Sequence, residues 1–425
     1  MQEQVETRKL DNAANLFPAI ADYRDPHVYR VTIILRDQIC GRVLQIALDQ
    51  TLPYFKAFAV RLQSHWACNY FTENLTVNCV NEETLAPCQY FDPDKPDGFL
   101  FRILYYRKRV HLEVFHAITD GTGAIQFLKA LCYRYCQLTY PQDFTSEQRT
   151  MRYGIQGAGY VLDAYHKNYA RSMKRRIYKE PSAFHIQSAK QSRESLGILS
   201  AMIPIQEIKK ESARFHATIT EYLTAVIATE LMTTYNNENK TNQPININLP
   251  VNLRPIFQTD TAVNFFTTAT IVFDPSKFTT NFDSILKEVK VQLKEKIARQ
   301  ALERKLAFTV SGEKSLLAQI APLPLRNWFL RFMYSHFNDG NTLSLSNLGL
   351  IEAESIFTPY IQGFRVVWAP TPKEPIKITI CSYKGELALT FTSALEDNDL
   401  ACNILRYLSQ NGISVTIETG GDLYE

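Results

Sequence analysis

The sequence predicts a mixed α/β (α+β) chain of two related lobes, each a mixed β-sheet with flanking helices, and three observations lead there. The chain has 425 residues, which exceeds one ordinary compact core and favours two lobes. Strand-period and helix-period segments alternate through its first half. After a polar, aperiodic stretch from Lys174 to Ser195, the best linker candidate, the same alternation restarts. The expected division is therefore an N-terminal lobe over residues 1–180 and a C-terminal lobe over 181–425.

In the first lobe, His27 to Leu35 (HVYRVTIIL) reads as a strand and Arg42 to Leu62 as a helix. Gly98 to Tyr106 and Arg109 to Phe115 read as strands joined by a tight turn at Arg107-Lys108. From Ala124 the period changes: Ala124, Phe127, Leu128, Leu131 and Tyr135 recur at three- and four-residue steps, on one face of a helix. A further helix is expected from Ile155 to Met173. In the second lobe, strands are expected at Leu196 to Ile203, Ile245 to Val251 and Asn264 to Phe273, with a helix from Ile219 to Tyr235. Helices follow at Phe282 to Leu306 and Arg326 to His336. Strands return at Thr342 to Ser346, Arg365 to Ala369, Ile376 to Tyr383 and Leu387 to Thr392, before a last helix near Asn398 to Ser409.

Composition narrows the function classes. Lys+Arg 46 against Asp+Glu 43 leaves a formal net charge of +3, which gives no electrostatic basis for nucleic acid or an acidic membrane as principal partner. Eight cysteines lie at irregular intervals with no CxxC pair, so no zinc site is expected. Cys132 and Cys136 share a helix at a four-residue step, a spacing that small buried hydrophobes explain. The N-terminal stretch MQEQVETRKLDNAANLF has no apolar h-region, and no run of eighteen apolar residues occurs. A cytoplasmic protein with reduced thiols is the expectation.

The chemistry concentrates where the strand ending at Phe115 runs into the helix beginning near Ala124. Strand parity puts His116 on the side of Val110, Leu112 and Val114, facing inward. A buried neutral imidazole has one ring nitrogen to accept a proton from a hydroxyl, amine or thiol while the other donates to a fixed carbonyl, as a general base requires. Asp120 is an acceptor at the helix start, and Gly121 and Gly123 let backbone or ligand come close. A plainer reading uses the same residues: a satisfied core histidine, an N-capping aspartate and two turn glycines.

His116-Ala-Ile-Thr-Asp120-Gly121 resembles the HxxxDG signature of the acyltransferase superfamily that includes chloramphenicol acetyltransferase, plant BAHD acyltransferases, peptide-synthetase condensation domains and alcohol acetyltransferases. Asn248-Leu-Pro-Val-Asn252-Leu-Arg254-Pro255, followed by Asn264-Phe265, is similar to the VNLRP segment of such chains. Thr342-Leu-Ser344-Leu-Ser346-Asn347-Leu-Gly349 is similar to their SNLG-type strand. Bacterial alcohol-acetyltransferase-like proteins resemble the chain best. Position 115 is Phe rather than a further His, and no DFGWG motif is present.

The resemblance implies two chloramphenicol-acetyltransferase-like lobes with a tunnel between them and His116 midway along it. It implies transfer of an acyl group from an acyl-CoA thioester to an alcohol or amine, with His116 as general base and no acyl-enzyme. Acyl-CoA, acetyl-CoA in the first instance, is then a co-substrate, with no permanently bound cofactor and no metal. Asp120 would be structural and pair with Arg254 across the lobes, while Ser346 and Asn347 would donate to the developing oxyanion. For Ser346 and Asn347 an ordinary turn, and for Arg254 an ordinary salt bridge, are the alternatives. A carrier-protein-fed condensation-type enzyme and a non-catalytic binding member are the competing functions, and a monomer is expected.

Other features of the sequence compete with these. His111 and Glu113 share a strand face, but parity sets them opposite His116 and no third metal ligand is evident. Lys174-Arg175-Arg176 has two readings, a CoA-phosphate contact or solvated linker charge. RNWFLRFMYSHF, Arg326 to Phe337, reads as a core helix with a charged edge, or as one that touches a membrane or an apolar acceptor.

Overall fold

A computed structural model describes residues 7–11, 14–66, 68–92, 95, 98–150, 161–169, 181–190, 196–237, 242–278, 280–313, 322–337 and 340–419. Most of the expected helix at Ile155 to Met173, and the Lys174-Arg175-Arg176 run, lie outside them. The strands are β1 (Thr7–Lys9), β2 (Val28–Leu35), β3 (Val60–Ser64), β4 (Asn69–Glu73), β5 (Asn81–Glu82), β6 (Phe101–Tyr106), β7 (Arg109–Phe115), β8 (Gly197–Pro204), β9 (Ile245–Asn252), β10 (Phe266–Phe273), β11 (Leu343–Leu350), β12 (Ile361–Trp368), β13 (Ile376–Tyr383), β14 (Glu386–Ser393) and β15 (Thr416–Thr419).

They form a five-stranded sheet, β12-β2-β7-β6-β5, a seven-stranded sheet, β10-β9-β11-β13-β14-β8-β15, and a small sheet, β1-β4-β3. Helix Gly121–Thr139 packs on the first sheet through Ala124, Phe127, Leu128, Leu131 and Tyr135, all buried. Helices Ile219–Asn237, Phe282–Lys296 and Asp399–Gln410 back the second, over a core built from Ile245, Ile247, Leu343, Leu345, Ile376, Ile378 and Ile380. The mixed α/β two-lobe architecture is as expected. One strand joins the lobes directly: β12, from late in the chain, pairs antiparallel with β2, Arg365 opposite Thr32 and Val366 opposite Val31.

Three element expectations are corrected. The helix from Arg42 stops at Thr51 and tightens into a 3₁₀ turn at Leu52–Tyr54, because Pro53 cannot continue the ladder; Val60–Ser64 is a strand. The long helix from Phe282 is two helices, ending at Lys296 and restarting at Arg299. Arg326 to His336 lies inside helix Leu323–Phe337, which is no core helix with a charged edge: Leu325, Trp328, Phe329 and Phe332 are exposed. Cys132 and Cys136 are buried and unbridged. Among the described residues, no helix is long and apolar enough to cross a membrane.

Candidate active site

Between the two large sheets lies a cavity of about 2350 Å³, whose lining includes His116, Asp120, Gly121, Ser346 and Asn347. His116 follows the last residue of β7, and its N–H donates to the carbonyl of His27 (3.0 Å), which extends the β2–β7 pairing by one step. Its ring stacks on Phe17 (centroids 4.8 Å) and meets Tyr29 (5.0 Å) and Phe266 (5.3 Å). Burial holds the imidazole below its ordinary pKa, opposed in part by Asp120, the backbone and Asn264, so the ring is neutral at neutral pH.

Asn264 fixes the tautomer. Its Nδ2 donates to the carbonyl of His116 (3.0 Å), which orients the amide and leaves Oδ1 toward His116 Nδ1 (3.2 Å). An amide oxygen only accepts, so Nδ1 carries the proton and Nε2 presents its lone pair.

The loop after His116 is held from the second lobe. The Asp120 carboxylate caps helix Gly121–Thr139 by accepting from the N–H groups of Thr122 (3.2 Å) and Gly123 (3.3 Å), and it accepts from Phe265 N–H (3.0 Å). Arg254 grips both its oxygens, Nη1 to Oδ2 at 2.8 Å and Nη2 to Oδ1 at 3.0 Å. The same guanidinium donates to the carbonyls of Thr261 (2.8 Å) and Val263 (2.7 Å), so it clamps its own following loop as well. Thr119 Oγ1 donates to the Ala262 carbonyl. This contact explains Gly123: a Cβ there would lie 2.1 Å from Thr119 Oγ1 and 2.2 Å from Ala262 O. At Gly121 a Cβ would meet Leu348 at 2.7 Å.

β11 brings Ser346 and Asn347 to the same cavity. Leu343 and Leu345 point into the core of the second lobe, and Ser344 and Ser346 take the opposite face. The Asn347 amide is already engaged: Nδ2 donates to Thr220 Oγ1 (2.9 Å) and Oδ1 accepts from Gly349 N–H (2.8 Å). Ser344 and Ser346 both line the cavity, and Ser344 Oγ is spent on Glu374 (2.6 Å).

Sequence reasoning passed over a second polar group in this wall. Glu374 accepts from Ser344 Oγ (2.6 Å) and Asn341 Nδ2 (2.8 Å) and pairs with Lys377 (3.3 Å), whose ammonium lies 4.0 Å from the centre of the Trp368 ring. Burial opposes the Glu374 charge, yet Lys377 and these donors together hold its pKa below the ordinary value. The alternation of LSLSN and IKIT marks Ser344 and Lys377, whereas Glu374 lies before β13 and has no period of its own. His111 and Glu113 belong elsewhere, in a buried network with Arg30 and Glu83. Among the described residues no cluster of His, Cys, Asp and Glu suits a metal ion.

No family model matches the chain, and no curated protein matches its sequence. Solved structures do match in fold. TRI101 of F. sporotrichioides, solved with coenzyme A and T-2, is 10% identical with a TM-score of 0.62, covering 96% of this chain and 99% of that one. The wax ester synthase/diacylglycerol acyltransferase of Marinobacter aquaeolei VT8 is 14% identical with a TM-score of 0.56, covering 95% and 100%. The condensation domain of the Monacolin K polyketide synthase MokA is 11% identical with a TM-score of 0.57, covering 95% and 97%. The chain shares the two-lobe fold of these solved structures.

Proposed function

We propose that the protein is an acyltransferase that moves an acyl group from a thioester, acyl-CoA in the first instance, to an alcohol or amine. One observation carries the reading: a neutral imidazole, its Nδ1 proton committed to Asn264, lies in the wall of an interlobe cavity with Nε2 left for chemistry. The similar folds solved with coenzyme A or named as acyltransferases support it.

His116 Nε2 takes the proton from the acceptor O–H or N–H as the heteroatom attacks the thioester carbonyl. The tetrahedral intermediate then collapses, the C–S bond breaks, and the leaving thiolate recovers the proton from His116. No acyl-enzyme forms, and the cavity supplies proximity by holding both substrates on the ring. Ser346 donates to the developing oxyanion, where loss of one donor typically costs ~10²- to 10³-fold in kcat. Asp120 and Arg254 act through geometry, since their charges are spent on each other.

The test is thiol release from acyl-CoAs of graded chain length with pooled alcohols and amines, comparing the wild type with His116→Ala. Release that disappears in a folded His116→Ala variant supports the reading. Release that persists in it removes His116 as the base, and absence of release with any donor or acceptor favours a binding role.

A further inference from the structure

Two arginines in the cavity wall stand out because neither makes an ion pair among the described residues. Arg8 lies on β1 and Arg326 in the first turns of helix Leu323–Phe337, and both line the cavity. In each guanidinium, Nε and Nη2 are buried and have no hydrogen-bond partner among the described residues. Arg8 rests on the Phe71 ring at 4.9 Å. Burial lowers its pKa to about 10, still charged at neutral pH.

The carboxylate closest in effect to Arg8 is Asp11, which makes no ion pair with it: its Oδ1 accepts from Ala14 N–H (2.8 Å) and its Oδ2 from Asn264 Nδ2 (3.4 Å). Buried guanidinium nitrogens without acceptors are unfavourable, and an anionic ligand would supply the missing partners. Both arginines are tied to one corner. β1 pairs with β4, Arg8 opposite Phe71, and Leu323 N–H donates to the carbonyl of Trp66 in the turn before β4 (2.8 Å).

We propose that Arg8 and Arg326 form an anion subsite that takes a phosphoryl group of the thioester donor. The inference rests on the acyl-transfer reading for the identity of the ligand, but not for the existence of the site. Arg8 stands three residues, at most ~10 Å of extended chain, from Asp11, whose carboxylate meets the partner of His116. Arg8, Arg326 and His116 line one cavity, so a flexible pantetheine arm can run within it between the reacting carbonyl and a phosphate. Guanidinium forks match phosphate oxygens in pairs. The phosphate can belong to the arm itself, shared by CoA and a carrier-bound phosphopantetheine, or to the nucleotide part that only CoA has.

The experiment compares Arg8→Gln, Arg326→Gln and the double variant on three donors carrying the same acyl group: acyl-CoA, acyl-phosphopantetheine and the phosphate-free acyl-N-acetylcysteamine. The double variant is expected to raise KM for acyl-CoA at least tenfold while leaving KM for the N-acetylcysteamine thioester within twofold. An equal rise for acyl-phosphopantetheine assigns the arm phosphate; no rise there assigns the nucleotide phosphates. KM values that move together for all three donors, or not at all, overturn the proposal.

Calorimetric titration with CoA and with pyrophosphate separates the two readings. If no donor turns over, yet the wild type binds either probe and the double variant does not, the subsite stands while acyl transfer falls. Equal binding by both, or binding by neither, sinks the subsite. The melting temperature of each ligand-free variant checks that it is folded.

Discussion

Replacing Arg254 by Gln tests whether the two lobes are locked at the site. The Arg254 and Asp120 side chains are 10% and 9% exposed, so water cannot substitute for either. The substitution removes two charge-assisted bonds to Asp120 and two donations to the carbonyls of Thr261 and Val263. Asp120 keeps three N–H donors but loses its cation. Removing one partner of such a buried pair costs ~3–5 kcal/mol. Arg254→Lys keeps the charge but not the fork, and should lose ~1.5–3 kcal/mol, about one charged hydrogen bond. Urea unfolding at neutral pH measures both, and a double-mutant cycle with Asp120→Asn isolates the coupling. Thiol release at a temperature where the variants remain folded should fall too, because the clamp positions the loop that carries Asn264. An Arg254→Gln protein within ~1 kcal/mol of wild type would refute the reasoning.

Four further outcomes are expected. Since burial lowers the His116 pKa, the acid limb of kcat/KM should have its midpoint below ~6.5, with activity flat through neutrality; a midpoint at or above that value contradicts a buried neutral base. Burial pushes His27 down to about 3, so the fold holds it neutral, and its contribution to stability is complete above ~6.5 and lost as pH falls toward about 3. His27→Gln should flatten the stability profile over that range, and an unchanged profile would clear His27 of the effect. Asn264→Ala should lower kcat by ~10- to 100-fold with less change in KM, as the imidazole loses its tautomer partner; equal activity would show that Asn264 does not set the base. Gly123→Ala, forced against the Ala262 carbonyl, should destabilise by ~1–3 kcal/mol, read as a lowered melting temperature, and a wild-type Tm would mean that the close approach relaxes freely.

The elements with one covered face were the most legible. Helix Gly121–Thr139 showed its core stripe, and β7 its period of two, because in each case the apolar residues alone trace the buried side. The helix from Arg42 is shorter than its periodicity predicts because apolar residues at Phe55, Phe58 and Val60 suit helix and strand alike, and only Pro53 marks the break. The short strands β1, β4 and β5 are too brief to carry a period. At the site, His116, Asp120 and Arg254 could be found as motifs, but Phe17, Tyr29 and Trp368 could not. Such packing is set by tertiary approach, and a lone aromatic residue has no pattern of its own.

The arrangement also explains why the site needs both lobes. β12 crosses to pair with β2, the strand beside β7, so the strand leading into His116 is held in a sheet that the second half of the chain completes. Arg254 and Asn264 then reach back, one to the carboxylate that starts the following helix and the other to the His116 ring. These links depend on one another. Val263, beside Asn264, is held by Arg254, and Arg254 is gripped by Asp120, four residues beyond the histidine. Motif residues far apart in sequence thus form one closed circuit of hydrogen bonds, in which each supports the next. Weakening any one of them should therefore displace the imidazole and lower thiol release as well as cost stability.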